Sequence, residues 1–459
     1  MTPDANDLCV FAVKRGDIEK RIDINYNLPK YTILEHKLRE KFGCNLKPLG
    51  EIADVICGPF GSAIKNTDYQ ESGIPLVRIT NISKEGYMNY EDLIYISEEL
   101  GNSLKRTQVA SGDIVISQRG SLGQCAIVDD TFAKMNISAN IIAIKNIRES
   151  SATFIHDYLL SIVGQTLLER NVSGQVQQKV TTQDIADILI PIGCNELHLS
   201  SIIRMAYNSY KDKCSRMENI LSGMSNYLFD TLGLESINYE ERNCCAVTLS
   251  NIVEDGTFNV GYYHPERMAA INSLKSNIAI PTHKLSDIVT FHRDIVSSAD
   301  RTDYLGLAGV ESQTGELSGV QEEAAGQAFS YEEDDILYGR LRPYLNKVLL
   351  AENKGVCSTE FHVIRVINTE VLLPEYIASI LRSDLILSQT KHMMTGNTHP
   401  RISNDDVRNL YIPIPALSVQ KTIVAELRKR RKEARSLKLQ AEQEWREARM
   451  QFEKELLGE

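Results

Sequence analysis

The sequence predicts an α+β chain with two similar globular modules separated by a pair of long antiparallel coiled-coil helices. Three observations carry that prediction. Apolar residues at Ile203, Tyr207, Tyr210, Cys214, Met217, Leu221, Met224 and Leu228 are spaced alternately by four and three. This 3.5-residue repeat keeps one seam of a long helix against a partner helix. Second, a block of more than 200 residues recurs along the chain, which is a duplicated domain rather than a solenoid repeat. Third, the segments outside the helices carry short apolar runs broken by glycine and proline, the pattern of strands and turns.

In chain order, residues 1–47 form a lead-in. It contains Tyr26-Asn27-Leu28-Pro29 and then Tyr31, Leu34, Leu38 and Phe42 at helical spacing, with Pro29 placed to start the helix. Residues 48–193 form the first module. Its runs at 58–62, 73–82 and 112–117 read as short strands with glycine turns. Phe154–Leu168 has helical spacing, and Ile188–Ile192 reads as a last strand. Residues 194–235 hold the first long helix, expected over Glu196–Leu232, where Pro191 and Gly233 punctuate its ends.

The chain then begins again. Tyr262-Tyr263-His264-Pro265 repeats the tyrosine-x-x-proline signature 236 positions on. Asp113-Ile114-Val115 returns 222 positions on as Asp335-Ile336-Leu337, so the second copy has lost 14 residues from its front half. Residues 236–283 are the second lead-in, 284–415 the second module and 416–459 the second long helix. That helix is expected over Ala416–Leu457, with a seam at Ile423, Leu427, Ala434, Leu437, Ala441, Trp445, Ala448, Phe452 and Leu456, interrupted by Arg430. Steps of four around Ala441 and Phe452 depart from strict heptads.

Composition bounds the function. At 459 residues, with 42% apolar and 24% charged residues, the chain can bury several cores. No apolar run of about 18 residues appears, so no membrane span is expected. The amino terminus lacks an export signal and the nine cysteines are scattered, which predicts a cytoplasmic protein with reduced thiols. A net charge of −11 excludes a uniformly basic surface, but does not say where the basic groups lie.

Thr181-x-x-Asp184 and Ser403-x-x-Asp406 fall at one repeat offset and resemble capping boxes. A polar loop precedes each: Gln175, Gln177, Gln178 and Lys179 in the first module, and Asn397, Thr398, His399 and Arg401 in the second. Glutamine, asparagine and arginine can pair with base edges in the major groove, and lysine and arginine neutralise phosphates. Equivalent loops with different side chains suit a shared scaffold reading two different sequences. A solvated surface loop is the competing reading. Gln118, Arg119 and Ser121, and Arg340, Arg342 and Lys347, follow the matching strands and join the candidate DNA contacts, as do Arg78 and Asn81. The basic run 428–432 reads first as a solvated or packed helix face.

No phosphate-binding loop, dinucleotide fingerprint, HExxH, methyltransferase motif or histidine-cysteine metal spacing occurs. A duplicated module without a duplicated acid, base or nucleophile predicts a non-catalytic binding protein.

In the second module, Asp335–Lys347, Cys357–Phe361, Thr395-Gly396 and Pro400–Ser403, followed by Ile412–Pro415, Gln420 and Ile423, resemble the specificity subunits of type I restriction-modification systems. In the first module, residues 58–62, 73–82 and 112–128 are similar to the same family. The resemblance implies two target recognition domains, each reading half of a split double-stranded DNA target, with the helix pair setting the gap. It also implies two docked methyltransferase subunits and motor-nuclease subunits for cleavage. S-adenosylmethionine and ATP are expected on those partners, and no cofactor or metal on this chain. Two alternatives remain open: the recognition subunit of a related type IIB- or IIG-like system, and a coiled-coil scaffold that binds no DNA.

Overall fold

The computed structural model describes residues 22–90, 92–119, 123–171, 179–240, 246–255, 257–297, 303–322, 326–396 and 400–458. It divides into two compact units, Met1–Asp212 with Gln440–Glu459, and Lys213–Leu439. Each long helix contributes one part to each unit.

In the first unit the lead-in helix spans Pro29–Phe42 and buries Tyr31, Leu34 and Leu38. Its proline occupies the first turn, where an N–H would have no intrahelical partner. Strand Leu46–Pro48 pairs with Leu189–Pro191, closing the front of the module onto its end. Between them lies an antiparallel sheet in the order Asp54–Cys57, Ile141–Lys145, Ile114–Ser117, Cys125–Ile127. A second sheet runs Ile94–Ile96, Ile74–Val77, Met135–Ile137, Gln108–Val109, with its middle pair parallel. Leu49–Ile52 forms a single helical turn. The helix expected over Phe154–Leu168 is two helices, Ala152–Leu160 and Ile162–Asn171. Ser161 causes the break: it is extended, and its hydroxyl accepts from the Gly164 N–H, which starts the second helix afresh.

The second unit repeats this plan. Strand Thr282–Lys284 pairs with Tyr411–Pro413. The antiparallel sheet runs Val289–His292, Phe361–Val366, Ile336–Gly339, Val348–Leu350. The second sheet differs at its edges, running Ile295–Ser297, Gln327–Tyr331, Gly355–Ser358, Tyr304–Leu305. The duplicated aspartate sits at the start of the same strand in each copy and faces a cation on the neighbouring strand. Asp335 is fully buried and takes both Arg365 bonds at 2.7 Å, whereas Asp113 meets Lys145 at 3.8 Å.

The lead-ins dock on the last helix pair of their own modules with inverted charge. Lys30 donates to Glu169 at 2.8 Å. At the repeat-equivalent positions, Glu266 accepts from Lys391 at 2.6 Å. Arg170 lies 4.2 Å from the Tyr26 ring centre, while Arg267 lies 3.7 Å from that of Tyr262. Burial alone would raise the Glu266 carboxyl, but bonds from His392, Lys391, Ser388 and Tyr239 bring it down to about 2.

The first long helix spans Glu196–Leu232 and the second Leu417–Leu457, one residue later than the expected start. In the first unit His198 meets Glu455 and Ser209 donates to Glu444. Eleven residues forward on one helix match eleven back on the other, so the two run antiparallel there. Ile203, Phe452 and Leu456 enter the first module's core beside Phe154 and Tyr158. In the second unit Leu228, Ile423 and Leu427 enter the core with Tyr376 and Ile377. The seams therefore pack against the modules as well as against helices. Tyr207 stacks on Tyr87 of the first module, and Tyr210 donates to Glu85 while its ring tilts against Trp445. Cys214, Met217, Leu221 and Met224 are half-buried, and Leu437 is buried. Arg430, the interruption in the second seam, donates to the Gly223 carbonyl and lies 4.6 Å from the Tyr227 ring centre.

Candidate nucleic-acid interface

Each module joins the turn after its central strand to the segment before its capped helix. In the first, Arg119 bridges Lys179, and the Val180 N–H donates to the Gln118 carbonyl. In the second, Leu341 bridges Arg401, and the Ile402 N–H donates to the Arg340 carbonyl. The two sets of positions correspond through the 222-residue offset. The caps beyond them hold the geometry. Thr181 and Asp184 exchange side-chain and backbone bonds in a complete capping box, whereas Ser403 accepts from the Asp406 N–H and donates to its carboxylate.

The backbone plan is shared but the side chains are not. Arg401 is held by Glu360 through three bonds of 2.7–3.1 Å. Near the same place the first module has Asn140, whose carbonyl accepts from Gln118 N–H as the Glu360 carbonyl accepts from Arg340 N–H. Lys179 is half-buried. Gln118 is buried, and Arg119 is half-buried with its Nε unpaired among the described residues. Arg340 donates to the Thr359 carbonyl at 3.4 Å and its Nε is likewise unpaired. Lys347 donates to the Leu307 carbonyl at 2.8 Å. Arg342 is exposed with φ 50°, a left-handed conformation costly for a non-glycine residue, held by its N–H bond to the Pro400 carbonyl.

At the first module's edge, Asn81 and Arg78 are both bonded within the module. Asn81 is 1% exposed; it accepts from the Arg78 N–H and donates to the Asn89 carbonyl. It holds a turn. Arg78 donates to the Asp92 carbonyl at 2.6 Å. In the basic run Arg428 pairs with Glu375 and Arg431 donates to Ser379, while Arg428, Lys429 and Lys432 are exposed. Ser121, Gln175, Gln177, Gln178, Asn397, Thr398 and His399 lie outside the described residues. Sequence reasoning missed His362 and two of the three arginines whose charges bear on it, Arg293 and Arg408 beside the candidate Arg340. The available signal was the two-residue alternation of strands Val289–His292 and Phe361–Val366, continued one residue past the first.

The fold and this paired junction define a duplicated α+β chain with two long helices. Residues 43–193 and 295–442 match the family described as type I restriction modification DNA specificity domain. The chain belongs to that family. It is similar to the specificity subunit of the Escherichia coli type I restriction enzyme EcoBI, at 26% identity over 123 residues, 27% of this chain. The match spans about a quarter, 26%, of that subunit's length. Among solved structures, one from work on assembly and conformational transition of the type I R-M system has 13% identity and a TM-score of 0.46, covering 90% of this chain and 97% of that one. The type I S subunit from M. genitalium has 14% identity and a TM-score of 0.41, covering 88% and 95%. Among the described residues no helix is long and apolar enough to cross a membrane.

Proposed function

We propose that this chain is the DNA-recognition subunit of a type I restriction-modification complex, with one module for each half of a bipartite duplex target. The observation that carries this reading is the duplicated junction: Arg119–Lys179 and Leu341–Arg401 share a backbone arrangement yet carry different side chains. A common scaffold with divergent polar groups is what reading two unlike half-sites requires. The long helices are the spacer and the docking platform for two methyltransferase subunits. Motor-nuclease subunits join for cleavage, and S-adenosylmethionine and ATP act on the partners. This chain contributes recognition and no bond-making step.

Module exchange tests the reading. Replacing residues 48–193 with those of a relative should change one half of the methylated sequence, mapped in DNA from cells carrying the chain and its methyltransferase partner. A change in both halves would remove the split reading. Purified complex that retains no sequence-specific DNA would favour the scaffold alternative.

A further inference from the structure

Three adjacent strands of the second module end together at one edge of its antiparallel sheet: Val289–His292, Phe361–Val366 and Ile336–Gly339. His292 pairs with Val363 and Tyr338 with His362. Because side chains alternate along a strand and cross-strand partners share a face, Arg293, His362 and Arg340 fall on one face at that edge. Arg408 closes the group from the capped helix, 5.0 Å from the Phe291 ring centre. Phe291 in turn stands edge-on to His362 at 6.1 Å.

The group is cationic. Arg293 and Arg408 are exposed, and neither they nor Arg340 forms a salt bridge among the described residues. His362 is 4% exposed and its Nε2 has no partner among the described residues. Burial first, and then Arg340, Arg293 and Arg408, push its pKa down to about 3, so the imidazole stays neutral beside three guanidiniums. Glu360 lies opposite Arg340 in the same register, but its carboxylate is taken by Arg401, which leaves the three guanidiniums free to favour an anion. Guanidinium forks match phosphate oxygens in pairs. The group adjoins the candidate interface directly, since the Arg340 carbonyl holds Ile402.

The first module has no counterpart. By the strand registers, its equivalent positions are Cys57 for Arg293, Ile142 for His362 and Gln118 for Arg340, and Ala186 for Arg408 by the repeat offset. The same scaffold therefore carries this charge in one copy alone.

We propose that Arg293, Arg340 and Arg408 form a seat for a backbone phosphate of the DNA beside the second half-site, a contact the first module lacks. The proposal rests on the DNA-recognition reading above. Phosphate contacts position a duplex without reading its sequence and release counterions on binding.

The test measures affinity of the full chain, with its methyltransferase partner, for target DNA across a salt series. Arg293→Ala and Arg408→Ala should each lower the slope of log affinity against log salt by about 1. Each should weaken the intact target and a target altered in one half-site by the same factor. Arg293→Lys should keep the slope. Arg428→Ala, whose arginine is paired with Glu375, should leave it unchanged and serves as the control. An unchanged slope in both alanine variants, or a loss confined to particular base pairs, overturns the phosphate seat while leaving the recognition reading intact. A wild-type complex that holds no DNA overturns both.

Discussion

Asn81 and His362 show how burial decides what a polar residue does. Asn81 has the side chain that suits an adenine edge, but both of its polar ends are bonded within its own turn. His362 draws no notice in the sequence, yet its surroundings set a measurable proton linkage. Folded, it remains neutral until about pH 3; unfolded, it takes a proton near its ordinary value of 6.5. The unfolded state therefore binds more protons below pH 6.5, and stability falls as pH falls. The loss is about 1.4 kcal/mol per pH unit at most, over the window between those two values. Unfolding of the second unit between pH 6.5 and 4.5 should be less pH-dependent in His362→Gln than in wild type. Equal dependence would mean that the imidazole is not held neutral.

At the scale of elements, the seams were legible because a 3.5-residue period needs no tertiary information. The first long helix occupies its expected span, Glu196–Leu232. What the period does not encode is the identity of the surface that covers each seam residue. Phe452 reads as a helix-pair residue in the sequence, but it is fully buried against Phe154 of the first module, with ring centres 6.4 Å apart. Phe452→Ala should cost about 3–5 kcal/mol, because it opens a cavity in a core with few ways to collapse. Denaturant unfolding of the first unit measures it; a loss under about 1 kcal/mol would place the ring outside the core. The break at Ser161 was hidden for a related reason. Helical spacing continues across it, and only the serine's backbone conformation and its bond to Gly164 end the first helix.

At the scale of the whole chain, duplication was the most informative signal. One copy's strands, cap and long helix predict the other's, and the paired junctions appear at matched positions. The contact residues were far less legible. Arg401 and Lys347 look alike as exposed cations in a sequence, but one is bonded to Glu360 and the other to the Leu307 carbonyl. The phosphate-seat arginines come from separate stretches and meet only through strand register. If the helices act as the spacer, deleting one heptad within 203–228 and its counterpart in the second helix should shorten the unspecified gap in the methylated target. Sequencing of methylated sites reads this directly, and an unchanged gap would remove the ruler function.

The inverted ion pairs of the two lead-ins have a consequence for a chain that contains the same architecture twice. Similar segments invite domain swapping, within one chain or between two copies. Exchanged lead-ins would set Lys30 against Lys391 and Glu266 against Glu169. The exposed pair alone discriminates weakly. The second site is the costlier one: Glu266 is 5% exposed there, so Lys30 in its place would set two cations together in a nearly buried site without a carboxylate. Opposite polarity at equivalent positions keys each lead-in to its own module, so the duplication carries its own guard against misassembly.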